Sequence, residues 1–259
     1  MNRLRGVTLI ELIVVIAITG IIAAAVAVFI RRPVEGYVDA ARRAALTDEA
    51  DTALRRLTRD LRLALPNSVR VSGTFVEYLE TSGGGRYRAE PDNGGLGDIL
   101  DFAAADPSFD VIGPVPTIGA GDQIVIYNLY SSGTTSNAYG TDNRTAAGVV
   151  AAPTINITSK QFPAPSPGKR FHVVTGPVTY GCIGGQLVRY SGYGYNLAQA
   201  VGAPGGSSAV LAGNVTDCQF VYTTSPASER LATVGIVLQI ERDGEKVRMF
   251  QQTHVSNAP

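Results

Sequence analysis

The chain has 259 residues, 45% of them apolar, which is enough for one large or two small domains with a real core. Its 22 basic and 22 acidic side chains cancel. That balance excludes the electrostatic footprint of nonspecific nucleic-acid binding, so no nucleic-acid partner is expected.

The chain opens on MNRLRG, short and basic through Arg3 and Arg5 and ending in the small residue Gly6. An apolar run follows, GVTLIELIVVIAITGIIAAAVAVFI from Gly6 to Ile30, in which Glu11 is the only ionisable side chain. As a helix this run is long enough to cross a bilayer core of about 30 Å. A carboxylate one turn inside such a helix costs about 3 kcal/mol, so a partner or a function must offset it. A secretory signal would place its cleavage site after the apolar region, whereas here the only sharp boundary lies before it.

That order of basic leader, glycine, T-L-I-E and apolar run resembles the processing site of type IV prepilins and type II secretion pseudopilins. The resemblance implies that an inner-membrane prepilin peptidase cuts between Gly6 and Val7 and methylates the new amine of Val7. Glu11 then becomes the fifth residue of the mature chain, the position at which the family carries an acid. The chain departs from the commonest pattern in having Val7 where Phe or Met is usual.

The chemistry of the cut can be argued from charge alone. Cleavage creates an ammonium at Val7, and a carboxylate and an ammonium buried together cost much less than either alone. A charge pair between Val7 of one subunit and Glu11 of its neighbour would then set their axial register. The plainer alternative is a Glu11 shallow enough to snorkel into water. Topology follows less directly, because Arg31 and Arg32 at the far end of the span oppose the count from Arg3 and Arg5. The leader and the cysteines break the tie: the N-terminus reads as cytoplasmic and the chain beyond residue 32 as periplasmic.

Pro33 is placed to start a second helical section or to kink a continuous one. Beyond it, Val34, Tyr37, Val38, Ala41, Ala45, Ala50, Ala53, Leu54, Leu57, Leu61 and Ala64 form a helical stripe. Charges at helix-neighbour spacing line the opposite face, as in Asp39 with Arg43, Asp51 with Arg55 and Arg56 with Asp60. Pro66 ends the helix by pushing Leu65 out of the α region. Gly20 weakens the membrane half locally; in the family a proline often follows some eight residues on, where this chain has Val28.

Gly, Ser, Thr, Asn and Pro are abundant beyond residue 66, the composition of short strands joined by turns. NSVRVSGTFVEYLE reads as a first strand pair with Val69, Val71, Val76 and Tyr78 as core residues. TSGGGRYRAEPDNGGLGDIL reads as a loop; the side-chain oxygens of Asp92, Asn93 and Asp98 could hold calcium, but these are also ordinary turn residues and their spacing is not that of an EF-hand loop. Residues 121 to 129 alternate as a central strand, and residues 130 to 148 read as an exposed loop suited to recognition. RFHVVTGPVTYGCIGGQLVRYSGYG reads as three short strands divided by Gly-Pro and Gly-Gly turns. Val215 to Tyr222 adds a strand, and Asp243-Gly244 closes a C-terminal hairpin that sets Glu241 opposite Lys246, Ile240 opposite Val247 and Leu238 opposite Met249. Cys182 and Cys218 are expected to pair in an oxidising periplasm, closing a loop worth about 4 kcal/mol. No His or Cys lies at metal-ligand spacing from either, so no metal site is expected.

The expected fold is α+β, a long N-terminal helix packed on a largely antiparallel β domain. Residues 1–6 form the leader, 7–30 the transmembrane and assembly helix, 31–65 its amphipathic continuation and 66–259 a periplasmic β-rich domain. No nucleophile elbow, P-loop or dinucleotide fingerprint occurs. His172 and His254 sit in strand-like runs with no nucleophile motif beside them, so no catalytic residue and no cofactor is expected.

Three further stretches carry a narrower likeness: RRLTRDLRLALPNSVRV at residues 55 to 71, FHVVTGPVTYGC with LVRYSGYG, and the ending QQTHVSNAP. They resemble the MshO minor pilins of the mannose-sensitive haemagglutinin (MSHA) pilus system. That resemblance implies a low-copy subunit that nucleates and caps a fibre. Its implied partners are the prepilin peptidase, the major and minor pilins of the same fibre, the inner-membrane assembly platform and the lipid bilayer. Two other readings stand beside it: a J-type minor pseudopilin of a type II secretion system, and a membrane-tethered binding or hydrolytic domain exported on a pilin-type signal.

Overall fold

The computed structural model describes residues 6–225 and 228–259, apart from the side chains at 32, 225 and 228–230. One helix, α1, runs from Leu9 to Leu61, 53 residues and about 80 Å at the usual rise. It passes through Pro33 without a break. At its end the N–H groups of Arg62, Leu63 and Ala64 bond three residues back, tightening the last turn before Pro66.

The apolar side chains α1 buries are Leu46, Ala50, Ala53, Leu54, Leu57 and Leu61, all at most 2% exposed. This spacing is the expected stripe with its start moved. Val34, Tyr37, Val38, Ala41 and Ala45 stay exposed because the rest of the molecule covers the helix only from Leu46 onward. Amphipathic spacing shows which face of a helix is apolar but not where cover begins.

Twelve strands follow: β1 (Arg70–Ser72), β2 (Phe75–Tyr87), β3 (Asp106–Ile112), β4 (Gln123–Ile126), β5 (Arg144–Ala151), β6 (Thr154–Lys160), β7 (Arg170–Ile183), β8 (Gln186–Ser191), β9 (Ser207–Ala212), β10 (Val215–Ser225), β11 (Ser228–Arg242) and β12 (Glu245–Ser256). Every strand pair is antiparallel. The layout is therefore α+β, as expected. Pairing in the order β2-β3-β6-β5-β4-β7, with β7 also bonded to β2, closes a six-stranded barrel. Its interior holds Phe109, Ile124, Ile126, Ile155, Phe171 and Val173, with the rings of Phe109 and Phe171 edge to face at 5.3 Å.

The long strands β2 and β7 belong to two structures at once. Phe75–Glu80 pairs with Gly176–Gly181 in an open sheet that β1, β8 and β9 extend, whereas Gly83–Arg86 pairs with Arg170–Val173 in the barrel wall. The register shifts on either side of Thr81, and Gly176 sits at φ +150 opposite Glu80. Gly176-Pro177 is thus a bulge within one strand, not a turn, and the expected three strands are two. The true turn is Gly184-Gly185, at φ +57 and +72. The run SGGGRY is likewise strand rather than loop. A β-carbon at Gly84 would lie 2.7 Å from the Phe171 carbonyl oxygen, and one at Gly85 2.9 Å from its ring, so glycine here permits close strand approach.

Two more expectations shorten or invert. The central strand spans only residues 123–126, because Tyr127 at φ +51 turns the chain away. The stretch 130–148 is not a free loop: its last part is β5, and Asn137, Ala138, Tyr139 and Asn143 are buried. Asn128 pins it, its side chain accepting from the Ala138 N–H at 2.8 Å and donating to the Pro66 carbonyl at 2.7 Å. The Arg70 guanidinium lies 3.5 Å above the Tyr139 ring.

The last three strands form a separate sheet in the order β10-β11-β12. Asp243 and Gly244 sit at φ +52 and +84, the conformation a two-residue hairpin turn requires, and the three expected pairs are opposed as predicted. The apolar faces of this sheet, of the open sheet and of α1 from Leu46 meet in one core. A disulfide between Cys182 on β7 and Cys218 on β10 joins the two sheets.

Charge completes the docking. The Asp60 carboxylate accepts from the Tyr180 hydroxyl at 2.6 Å and pairs with Arg189 at 3.1 Å, and Arg189 reaches Glu80 at 2.9 Å. Asp60 therefore turns inward rather than pairing with Arg56 as expected. Burial, reinforced by the bond to Asp60, pushes the Tyr180 phenol up and keeps it a donor. Nearer the overhang, Arg43 pairs with Glu245 at 3.1 Å and Asp39 with Arg42 at 3.6 Å, instead of with each other. Asp51 and Arg55 pair as expected, at 2.6 Å.

Arg189→Leu leaves two partly buried carboxylates without a counter-charge and should cost about 3 kcal/mol in denaturant unfolding. Arg56→Ala, on the solvent face, should stay within about 0.5 kcal/mol. A second expectation concerns His172, which burial pushes from 6.5 down to about 4. Its imidazole is neutral in the fold and takes a proton on unfolding, so its contribution is complete above pH 6.5 and is lost as the pH falls toward 4. Over that window the unfolding free energy should drop by about 3 kcal/mol more in the native chain than in His172→Gln.

Candidate functional site

The first residues described, Gly6 and Val7, lie outside the helix and in the open, Val7 being 71% exposed. The bond between them thus sits in an accessible non-helical segment. Arg3 and Arg5, which the leader reading invokes, lie outside the described residues.

Thr8 starts the helix. Its backbone is extended, at φ −77 and ψ 152, and its hydroxyl accepts from the Glu11 N–H at 3.4 Å, while its carbonyl accepts from Leu12 N–H at 3.2 Å. Thr8 is therefore the N-cap and Glu11 the third helical residue, the sequence spacing of a capping box of which the Thr8 half is formed. Sequence pattern alone left this cap unassigned, although T-x-x-E ahead of an apolar run is its signal. The acid also sits where the partial positive charge of the helix start favours it. Val7 and Glu11 are brought within one turn of each other, and Glu11 makes no ion pair among the described residues.

From here to Ile30 the helix is apolar all round and bare. Its most apolar 18-residue window has a mean hydropathy of 3.0 with none of it buried, and Leu9, Ile10, Ile21 and Phe29 are each more than 70% exposed. A helix of this kind needs lipid or other helices around it. The one hydroxyl along its middle is satisfied internally, Thr19 donating to the Val15 carbonyl at 2.6 Å. The helix is thus long and apolar enough to cross a membrane and fits a membrane anchor carrying a C-terminal domain.

The remaining sequence candidates lie elsewhere. Among the described residues no group of three or more His, Cys, Asp or Glu side chains could hold a metal ion. The Asp92 carboxylate accepts from the Gly94 and Leu96 N–H groups at 2.9 and 2.8 Å and is held below its usual range by those bonds, as a turn residue is. His172 is on the barrel wall and His254 is exposed on β12, so no shared site brings them together.

Comparison with known proteins bears on the N-terminal segment. Residues 1–27 match a family model described as the prokaryotic N-terminal methylation motif. No curated protein and no solved structure matches the chain, and the narrower likeness to MshO minor pilins finds no support. The matched motif is the type IV pilin-type signal, so the chain is similar to type IV pilin-like and pseudopilin proteins in the segment that anchors it, and that motif implies processing by prepilin peptidase and assembly with other pilins.

Proposed function

We propose that this chain is a minor pilin of an MSHA-type type IV pilus, acting in fibre initiation and tip assembly and in surface attachment. The observation that carries the reading is the bare apolar helix, capped by Thr8 with Glu11 in its first turn and preceded by an exposed Gly6–Val7 bond. In this reading residues 1–6 are a leader removed by prepilin peptidase, 7–30 the membrane and assembly segment, 31–65 the rest of the rod and 66–259 the periplasmic head.

The leader cut converts the Val7 amide into an ammonium, which the peptidase methylates. Within the membrane that charge and Glu11 of an adjoining subunit neutralise each other at far lower cost than either pays alone. An incoming subunit one residue out of register would leave both charges stranded. Extraction into a fibre exchanges lipid for neighbouring helices around the same apolar surface, so the exposed half of α1 serves in the membrane and in the fibre. The assembly platform of the inner membrane and the sibling pilins are its partners in this scheme. The preference for an MSHA-type pilus over type II secretion rests only on the sequence likeness of residues 55 to 71, 171 to 182, 187 to 194 and 251 to 259.

The mature N-terminus tests the cut. Mass spectrometry of protein isolated from its native membrane should find a chain beginning at N-methylated Val7, and a chain still beginning at Met1 sinks the reading. Gly6→Leu should leave uncut precursor. Glu11→Ala should be cut normally yet enter fibres at less than about one tenth of the native level, since losing one member of a buried charge pair costs several kcal/mol. Deleting the gene should abolish surface fibres and spare protein secretion; the reverse outcome assigns the chain to a type II secretion system.

A further inference from the structure

On the outer face of the barrel, Arg86 of β2 and Arg170 of β7 stand directly opposite each other across the strand pair. Like charges in that position repel, and neither guanidinium is in an ion pair among the described residues, although Arg86 Nε donates a long hydrogen bond of 3.4 Å to the Gly168 carbonyl. The acids nearest in sequence are already engaged, Glu90 by Lys169 at 3.1 Å and Glu80 by Arg189 at 2.9 Å. A fold that places two unneutralised guanidiniums side by side holds a standing attraction for an oxyanion.

The surroundings are shaped to receive one. The two arginines border a cavity of about 500 Å³ that is also lined by Ser82–Gly85 and by Leu63 just past the end of α1. Along the β2 edge away from β7, the helix-end segment bonds to Leu79 and Thr81 and β3 takes Arg86 and Tyr87. Between them, the backbone of residues 82–85 has no strand partner on that side, which leaves peptide groups facing the cavity edge. His172 lines the same cavity, and its Nε2 is buried without a hydrogen-bond partner among the described residues. Arg170 also lines a second cavity of about 530 Å³ with Asn67, Tyr127 and Tyr130, and Tyr130 is 57% exposed. The two cavities share Arg170 in their linings, the first bordered also by Arg86 and the second by the two tyrosine rings and the C-terminal Asn257–Pro259.

We propose that this double cavity binds an acidic saccharide, its carboxylate held by Arg86 and Arg170 and an adjoining sugar ring laid on Tyr130. Guanidinium forks match a carboxylate in geometry, an exposed ring provides a flat apolar face with a polar edge, and the Ser82 hydroxyl suits a sugar hydroxyl. Neutral sugars lack the group that relieves the arginine pair. Free phosphate relieves it but has nothing to place on the tyrosine. The site stands on the head's geometry alone and is independent of the fibre reading.

Calorimetric titration of the full chain in neutral detergent with a galacturonic acid tetramer tests it. The acid tetramer should bind at least about tenfold tighter than its fully methyl-esterified form, and Arg170→Gln should lose about tenfold or more of that affinity, with Arg86→Gln following in the same direction. Because each substitution also removes a like-charge opposition, the thermal midpoint of either variant should equal or exceed that of the native chain, which separates lost binding from lost folding. Tyr130→Ala should weaken the tetramer and leave inorganic phosphate binding unchanged. No binding of the tetramer, equal binding of its ester, or native affinity in both arginine variants overturns the proposal. Inorganic phosphate binding as tightly as the tetramer overturns the saccharide assignment.

Discussion

One helix must satisfy two surroundings, and the change falls at Leu46. Up to that residue α1 buries no side chain among the described residues, and beyond it Leu46, Ala50, Leu54, Leu57 and Leu61 are sealed between two sheets. The open sheet and the three-stranded sheet provide that seal. The open sheet supplies Val76, Tyr78, Val178 and Tyr180, the three-stranded sheet supplies Ile236, Leu238 and Ile240, and the disulfide holds one against the other. Burial of this extent stabilises by tens of kcal/mol in gross terms, against an ordering cost of similar size. The ion pairs of Asp60 and Arg189 add less energy than specificity, since they hold the helix end in one position relative to β2, β7 and β8.

The barrel stands apart from that task. Its interior, built around Phe109 and Phe171, shares no side chain with the core around α1, although β2 and β7 run through both. Those two strands need a corner, and the register shifts around Thr81 together with Gly176 provide it. The same corner leaves the Ser82–Gly85 edge open. A structural requirement of the fold therefore produces part of the lining of the cavity that the arginine pair borders.

Local pattern carried far in this chain. The Asp-Gly turn determined the C-terminal register residue by residue, because a two-residue loop leaves no freedom in pairing. The apolar run, its single acid and the leader glycine were equally plain. What pattern missed was set by partners distant in sequence. Glycines at 83 to 85 have the composition of a loop, and only the approach of Phe171, some ninety residues on, makes them strand. Asp60 has the spacing of a surface pair with Arg56, and only Tyr180 and Arg189 draw it inward. Tyr139 sits in a polar run yet is buried beneath Arg70. Barrel closure depends on β2 and β7, strands too far apart for any window of sequence to join.

The way the rod is gripped determines how the head meets a mechanical load. Glu49 accepts from the Gly213 N–H at 2.8 Å and pairs with Arg242 at 3.0 Å, and Asp60 anchors the opposite end of the docked length to Tyr180 and Arg189. Tension drawn along the helix axis is therefore shared from both ends of the grip and divided between both sheets at once. With Cys182 and Cys218 bridging those sheets, neither can peel away by itself.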